Sequence, residues 1–245
     1  MGISFSGGLS IVAAGRPSLK DHLAYVFSFG GHADLPRVLR FLCTGIEPMP
    51  AGRIRLQADA TTDEDQPFVR VPHDYGLAVV LLNVASRLVP AAQVDPLRAA
   101  IRRYLYASQL DSNVDRPGAA REFDALRQLA RTLREPSATL LRYVTDRDVV
   151  HLGARLLPVV GAYGTEPALS ESRSPKPSAP VFLLHGTDDS VIPSIESEYL
   201  SDDVRGHAPV RLLLSGLISH AEADSERRVN DVLRLASFWG DLLSR

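Results

Sequence analysis

Val181-Phe182-Leu183-Leu184-His185-Gly186-Thr187-Asp188-Asp189-Ser190-Val191-Ile192-Pro193 is the stretch that decides the fold. Its first four residues are all apolar and are bounded by Pro180 and by His185-Gly186. A run that short and that uniformly apolar predicts a central parallel strand buried on both faces. The loop that follows carries two acids at the strand's carboxyl end, where parallel sheets place their sites. Downstream, Pro193 to Leu200 predicts a helix and Val210 to Leu214 (VRLLL) a second buried strand, ending at Ser215-Gly216. Gly216-Leu217-Ile218-Ser219-His220 then sets a histidine at the same end of the sheet. Asp224 to Leu243 predicts a terminal amphipathic helix with Val229, Val232, Leu233, Ala236 and Trp239 on its apolar side. Strand, helix, strand, helix is the pattern of an α/β fold with a parallel sheet and crossover connections.

Upstream of this block the chain opens on Gly2-Ile3-Ser4-Phe5-Ser6-Gly7-Gly8. Small-x-Ser-x-small-Gly fits a sharp turn between a buried strand and a helix, where larger side chains two residues to either side of the serine would clash. Gly7 and Gly8 let the helix start close against the strand. The helix N-terminus favours developing negative charge, and the N–H of Phe5 is a candidate oxyanion donor. A register centred on Ser6, between Ser4 and Gly8, is the alternative; Ser4 is preferred because Gly2 is the better small residue. A phosphate loop, a truncated signal peptide or a plain turn are the other readings. The signal peptide fits poorly, since no Lys or Arg precedes the apolar run.

Leu9 to Ala14 continues as a helix stopped by Gly15 and Pro17, and His22 to Phe29 (HLAYVFSF) predicts a buried strand ending at Gly30-Gly31. Asp34 to Cys43 has helical spacing in Leu35, Val38, Leu39 and Leu42. Residues 45–72 are irregular, with Asp63-Glu64-Asp65 in a solvated loop. From about 74 to 164 the periodicity is helical, in segments over 96–110, 119–133, from Ser137, and over 146–160. Ser170 to Pro180 (SESRSPKPSAP) reads as a linker. The expected division is a sheet core of residues 1–45 and 178–245, and a segment of loop, helices and linker over 46–177.

The 245 residues carry a net charge of −2 and a single cysteine. No Lys/Arg cluster suggests nucleic acid. Cys43 alone excludes an intrachain disulfide framework and a cysteine-based zinc site, and reads as a small buried hydrophobe. The apolar stretch Leu77 to Ala92 contains Asn83, Ser86, Arg87 and Pro90, too polar for a membrane span. With no targeting segment in the sequence, the expected location is the cytoplasm. His32, His73 and Asp74 lack metal-ligand spacing, and nothing suggests a dinucleotide, phosphate or metal cofactor.

Ser4, Asp189 and His220 stand in the order nucleophile, acid, base, each at a turn or behind a predicted strand. With this trio the sequence resembles the catalytic half of an α/β-hydrolase-fold enzyme. Gly2-Ile3-Ser4-Phe5-Ser6-Gly7 is similar to that family's nucleophile elbow, with Ser6 in place of the usual Gly. His185 to Pro193 is similar to its acid loop, and His220 to its base. Asp188 is the rival acid. The helical middle resembles the cap such enzymes insert. The resemblance implies a serine hydrolase that cleaves a carboxylic ester or amide with an apolar acyl or alcohol part, through a Ser4-Asp189-His220 triad and an acyl-enzyme. A serine peptidase of the same fold is the alternative enzyme, and a non-catalytic interaction protein of the same fold the alternative from another class. His185 is expected to be structural, Gly30-Gly31-His32 a turn, Asp74 a helix cap beside His73 and Tyr75, and His151 a packing residue. Enzymes of the family carry further strands ahead of the elbow, among them the one that enters it, and a loop with a second oxyanion donor. The expectation is therefore an N-terminally truncated or degenerate relative with an uncovered sheet edge beside Ser4, poorly active alone.

Overall fold

The computed structural model describes residues 1–20, 22–47, 68–112, 115–218 and 225–245. His220 lies outside them. The chain divides into two compact units, Met1–Val38 with Gly164–Arg245, and Leu39–Tyr163.

The first unit is α/β. Strand β1 is Gly2–Ile3, helix α1 Phe5–Ala14, and β2 Val26–Phe29. Helix α2, Leu35–Thr44, leaves this unit. In the second unit β3 (Ile46–Glu47) pairs antiparallel with β4 (Phe68–Val69). There follow α3 (Asp74–Leu88), α4 (Ala91–Asp111), α5 (Arg116–Ala130), α6 (Ser137–Thr145) and α7 (Val149–Val160). The chain returns to the sheet through β5 (Val181–Gly186), α8 (Ile195–Val204), β6 (Val210–Ser215) and α9 (Ser225–Leu243).

The sheet order is β1-β2-β5-β6, all parallel. Val26 pairs with Val181 and Val181 with Val210. The alternation of side chains across a strand explains why VFLL is apolar throughout. Val181 and Leu183 enter one layer with Val26, Ile11, Leu200 and Val204, between the sheet and α1 and α8. Phe182 and Leu184 enter the opposite layer with Phe27, Leu213, Phe238 and Leu242, under α9. The strand that enters the elbow is thus present, contrary to expectation: Gly2 and Ile3 pair with Ser28 and Phe29. Two residues carry too little periodicity to be read as a strand without their partner. On α9 the inward stripe is Leu235, Phe238 and Leu242, not the expected Val232 and Leu233, which are 54% and 62% exposed. Trp239 flanks the stripe and meets the Phe27 ring at 5.4 Å.

The Ser/Pro segment is not a linker. Residues from Gly164 onward belong to the sheet unit, and Ser170 and Glu171 are fully buried. The Ser170 hydroxyl accepts the amide of Leu35 at the start of α2 (3.0 Å), and Ser172 N–H donates to the Ala33 carbonyl. His32 Nε2 donates to the Leu169 carbonyl at 2.9 Å, and Arg173 pairs with Asp34. Its serines and carbonyls supply the partners that the loop before α2 needs, so a composition typical of solvated chain is used as packing.

The helical unit is centred on Leu77, Leu81, Leu97, Ile101, Tyr104, Leu126 and Leu141, all essentially inaccessible. Cys43 is buried, which pushes its thiol up to about 12. Asp115 and Asp148 cap α5 and α7 by accepting the amides of Gly118 and His151. His73 stands at the N-cap position of α3, and Asp74, the first residue of the helix, caps it as expected: its Oδ1 accepts the Tyr75 amide at 2.8 Å and lies 2.9 Å from His73 Nδ1. Asp74 gathers further donors: it accepts the buried Tyr104 hydroxyl at 2.5 Å and pairs with Arg147 at 3.2 Å. Burial pushes its carboxyl up, but His73, Tyr104 and Arg147 outweigh this and hold it at about 2. Arg147 sits at φ 54°, the left-handed position after α6 that glycine normally takes. Its side chain bridges Asp74 and Asp111, which accounts for a long residue at that post. His151 is exposed, stacked on Tyr143 and bonded to Asp148, rather than packed inside. Among the described residues no helix is long and apolar enough to cross a membrane.

Two outcomes test this packing. Phe238, inaccessible and edge-on to Phe182 at 5.8 Å, anchors α9. Phe238→Ala should cost about 3–5 kcal/mol, against less than about 0.5 kcal/mol for Leu243→Ala at an exposed site, both measured by urea denaturation. Burial pushes the Glu171 carboxyl up to about 7 from an ordinary 4.5, Lys176 at 2.8 Å opposing and Asp203 reinforcing the rise. The folded chain then holds this proton more tightly than the unfolded one, so its contribution to stability falls as pH rises from 4.5 through about 7. Glu171→Gln should therefore gain on the wild type between about pH 5 and pH 8, and a difference that is flat across this range would contradict the assignment.

Candidate active site

Ser4 is the single residue between β1 and α1, and its backbone is at φ 57° and ψ −132°. Side-chain-bearing residues avoid this region, and its occupation marks a conformation enforced from outside. The enforcement is visible. Ser4 N–H donates to the Phe29 carbonyl at 2.7 Å, and the Ser4 carbonyl accepts the Gly7 amide at 2.8 Å. The first bond ties the turn to β2, the second starts the helix. The turn folds Gly2 against the carbonyl of Ser6 so closely that a Cβ at position 2 would overlap it. The requirement for a small residue two before Ser4 is thus steric, while position 6 points outward and tolerates a side chain.

Ser6 uses that side chain. Its hydroxyl accepts the Ile3 amide at 2.9 Å and donates to the Ile3 carbonyl at 2.7 Å. Ile3 alternates with Gly2 and Ser4, whose backbone groups face β2, so its own face away. Ser6 therefore lies within α1 and satisfies the outer edge of β1, while Ser4 occupies the strand-to-helix junction. Gly7 and Gly8 allow α1 to approach Ser28, Gly31 and His32, as expected. Phe5 opens the helix, and its ring lies 5.6 Å from that of His32. His32 is buried, which lowers its pKa.

Asp189 follows β5. Its Oδ1 accepts the amides of Val191 (2.8 Å) and Ile192 (3.0 Å), and its Oδ2 lies 3.4 Å from His185 Nε2. Burial pushes this carboxyl up, but His185 and the amides of Ile192 and Val191 outweigh it and hold it below its ordinary range. Asp188 is exposed. His185 is inaccessible, donates from Nε2 to the Ile192 carbonyl at 2.9 Å, and accepts at Nδ1 from the Ser197 hydroxyl at 2.6 Å. Both ring nitrogens are committed, so His185 fixes the turn that presents Asp189. Gly30, at φ 60°, is the turn after β2; a Cβ there would stand 3.5 Å from Asp189 Oδ2. Since Phe29 binds Ser4 and Gly30 adjoins Asp189, the two candidates flank one turn at the carboxyl ends of β1, β2 and β5. Strand β6 ends beside them at Ser215, paired with Gly186. The short helix Gly216–Ile218 leads toward position 220.

Among the described residues no three His, Cys, Asp or Glu side chains are grouped as a metal centre. Sequence reasoning missed Glu196, a buried carboxylate of α8 bonded to the loop after Gly30. An acid in the first turn of a helix carries only the signal of a favourable dipole partner facing water. No protein-family model matches this chain, and no curated protein matches it.

Gly2→Ala tests the turn. A Cβ that meets backbone cannot be accommodated by a side-chain shift, so the variant should lose about 1–3 kcal/mol of stability. A variant as stable as the wild type in thermal denaturation would show that the tight approach of Gly2 to Ser6 is not required.

Proposed function

We propose that the chain is a serine hydrolase of the α/β-hydrolase type, with Ser4 as nucleophile, His220 as base and Asp189 as acid. The observation that carries the reading is the left-handed backbone of Ser4 at a strand-to-helix turn, on a parallel sheet whose next-but-one strand delivers a hydrogen-bonded carboxylate. A serine there exposes its hydroxyl at the carboxyl edge of the sheet and has the first N–H groups of a helix behind it.

In this mechanism Ser4 Oγ attacks the carbonyl carbon of an ester or amide while its proton passes to the imidazole of His220. The carbonyl oxygen becomes an oxyanion and receives a hydrogen bond from the Phe5 N–H. Asp189 orients the ring and stabilises the imidazolium. His220 then returns the proton to the departing alcohol or amine, which leaves an acyl-Ser4 ester. Water, deprotonated by His220, attacks this ester; the acid departs and Ser4 recovers its proton. The low pKa of Asp189 keeps it ionised through the cycle. The substrate class is a carboxylic ester or amide with an apolar acyl or alcohol part.

A fluorophosphonate probe reads out a serine activated by a neighbouring base. Labelling should be weak, as expected of a poorly active chain, and confined to Ser4: it should vanish in Ser4→Ala and His220→Ala, survive in Ser6→Ala, and fall as the pH drops below about 6.5. Asp189→Asn should lower the rate by up to about four orders of magnitude through the wrong imidazole tautomer, and Asp188→Asn should leave most of it. Absence of labelling in a chain with a normal circular-dichroism spectrum would favour a non-catalytic interaction protein.

A further inference from the structure

Glu196 is 1% exposed, and its carboxylate collects four donors. Oε2 accepts the backbone amides of Ala33 (2.9 Å) and Asp34 (3.1 Å) and the Arg37 Nη2 (2.9 Å), while Oε1 accepts Arg37 Nε. The guanidinium carbon itself lies over the Tyr199 ring, 3.8 Å from its centroid. A buried carboxylate is tolerated only when it is paired and fully bonded, and here two of the bonds go to the loop of residues 30–34 and two to Arg37 of α2.

That loop touches both halves of the candidate site. Gly31 lies against the backbone of Gly7 and Gly8, in the first turn after Ser4, and Gly30 adjoins the Asp189 carboxylate. The residue after Glu196 does the matching work on the other side: Ser197 donates to His185, whose Nε2 holds the Ile192 carbonyl of the acid turn. Adjacent residues in the first turn of α8 therefore fix the two loops on which Ser4 and Asp189 depend. Bidentate Arg37 and two converging amides also give Glu196 a single geometry, as needed for preorganisation by a supporting group.

We propose that Glu196, locked by Arg37, is a positioning residue for the reaction, holding the Gly30–Asp34 loop so that the Ser4 turn and the Asp189 carboxylate keep their mutual placement. This rests on the serine-hydrolase reading. It assigns to Glu196 no contact with substrate, so its loss acts on turnover and not on binding.

The test compares wild type with Glu196→Gln on a p-nitrophenyl ester and on the fluorophosphonate probe, at a temperature where thermal melts show both fully folded. Glu196→Gln keeps the size and one acceptor oxygen but turns an amide NH2 toward donors. The expected result is a kcat and a labelling rate lower by about 10- to 100-fold, the scale of an ångström-sized misplacement, with KM within about threefold of wild type. Arg37→Gln leaves the carboxylate and its two amide bonds in place. It is the second variant if Glu196→Gln does not fold, and its expected loss is about 3- to 10-fold in kcat at unchanged KM. Wild-type labelling at Ser4 together with unchanged rates in the folded variants would overturn the positioning role and leave the hydrolase reading intact. A rise in KM at constant kcat would also overturn it. A wild type that is neither labelled nor active would overturn the hydrolase reading itself, and the positioning role with it.

Discussion

The parallel pairing of β2 with β5 is the constraint on which the sheet unit depends. Residues 26–29 meet residues 181–184 in register, with the helical unit inserted in the chain between them. Closing so long a loop is entropically costly but grows only slowly with its length, and burial on both faces of the two strands offsets it. Everything at the candidate site hangs from this pair. Phe29, at the end of β2, anchors Ser4. Gly186, at the end of β5, opens the turn to Asp189. Neither candidate has meaning without the register that brings Phe29 beside Leu184.

Around this pair the polar groups are arranged in shells. Asp189 is held by the amides of its own turn and by His185; His185 by Ser197 and Ile192; the neighbouring loop by Glu196, Arg37 and the returning segment at Leu169 to Ser172. The groups named here are bonded in series, so α8 is linked both to the acid turn and to the loop beside α1. A core of this kind is less tolerant of single deletions than an apolar one, because removal of one partner leaves the next unsatisfied.

What was legible in the sequence follows from which signals are local. VFLL is apolar at every position and stands between turn residues, so its burial on two faces could be read directly; VRLLL carries Arg211 and, expected to be buried alike, is only half-buried except at Leu213. The helices over 91–111 and 116–130 carry a strong period. The position of Asp189 behind VFLL was equally readable, because a strand's end and its turn are near neighbours in sequence; at Ser4 the small residues marked the turn but not the strand that enters it. Three features were not. Gly2–Ile3 is a strand only by virtue of Ser28 and Phe29. Ser170 and Glu171 look solvated because serine, proline and charge are typical of loose chain, yet both are buried, Ser170 as a partner to a distant loop and Glu171 beside Lys176. On α9, Leu235, Phe238 and Leu242 share the inward stripe, while Val232 and Leu233, equally apolar, fall outside it; the choice is made by the ring cluster of Phe27 and Phe182, which lies elsewhere in the chain.

The hydroxyl of Ser6 closes the outward backbone groups of Ile3. By bonding both the N–H and the carbonyl of Ile3, it occupies the two groups through which another strand would extend the ladder on that side. A glycine at position 6 would serve the turn as well, but it would leave that edge open to recruit extended chain. One oxygen atom therefore does locally, at Ile3, what other sheets achieve with a covering helix or a charged edge residue.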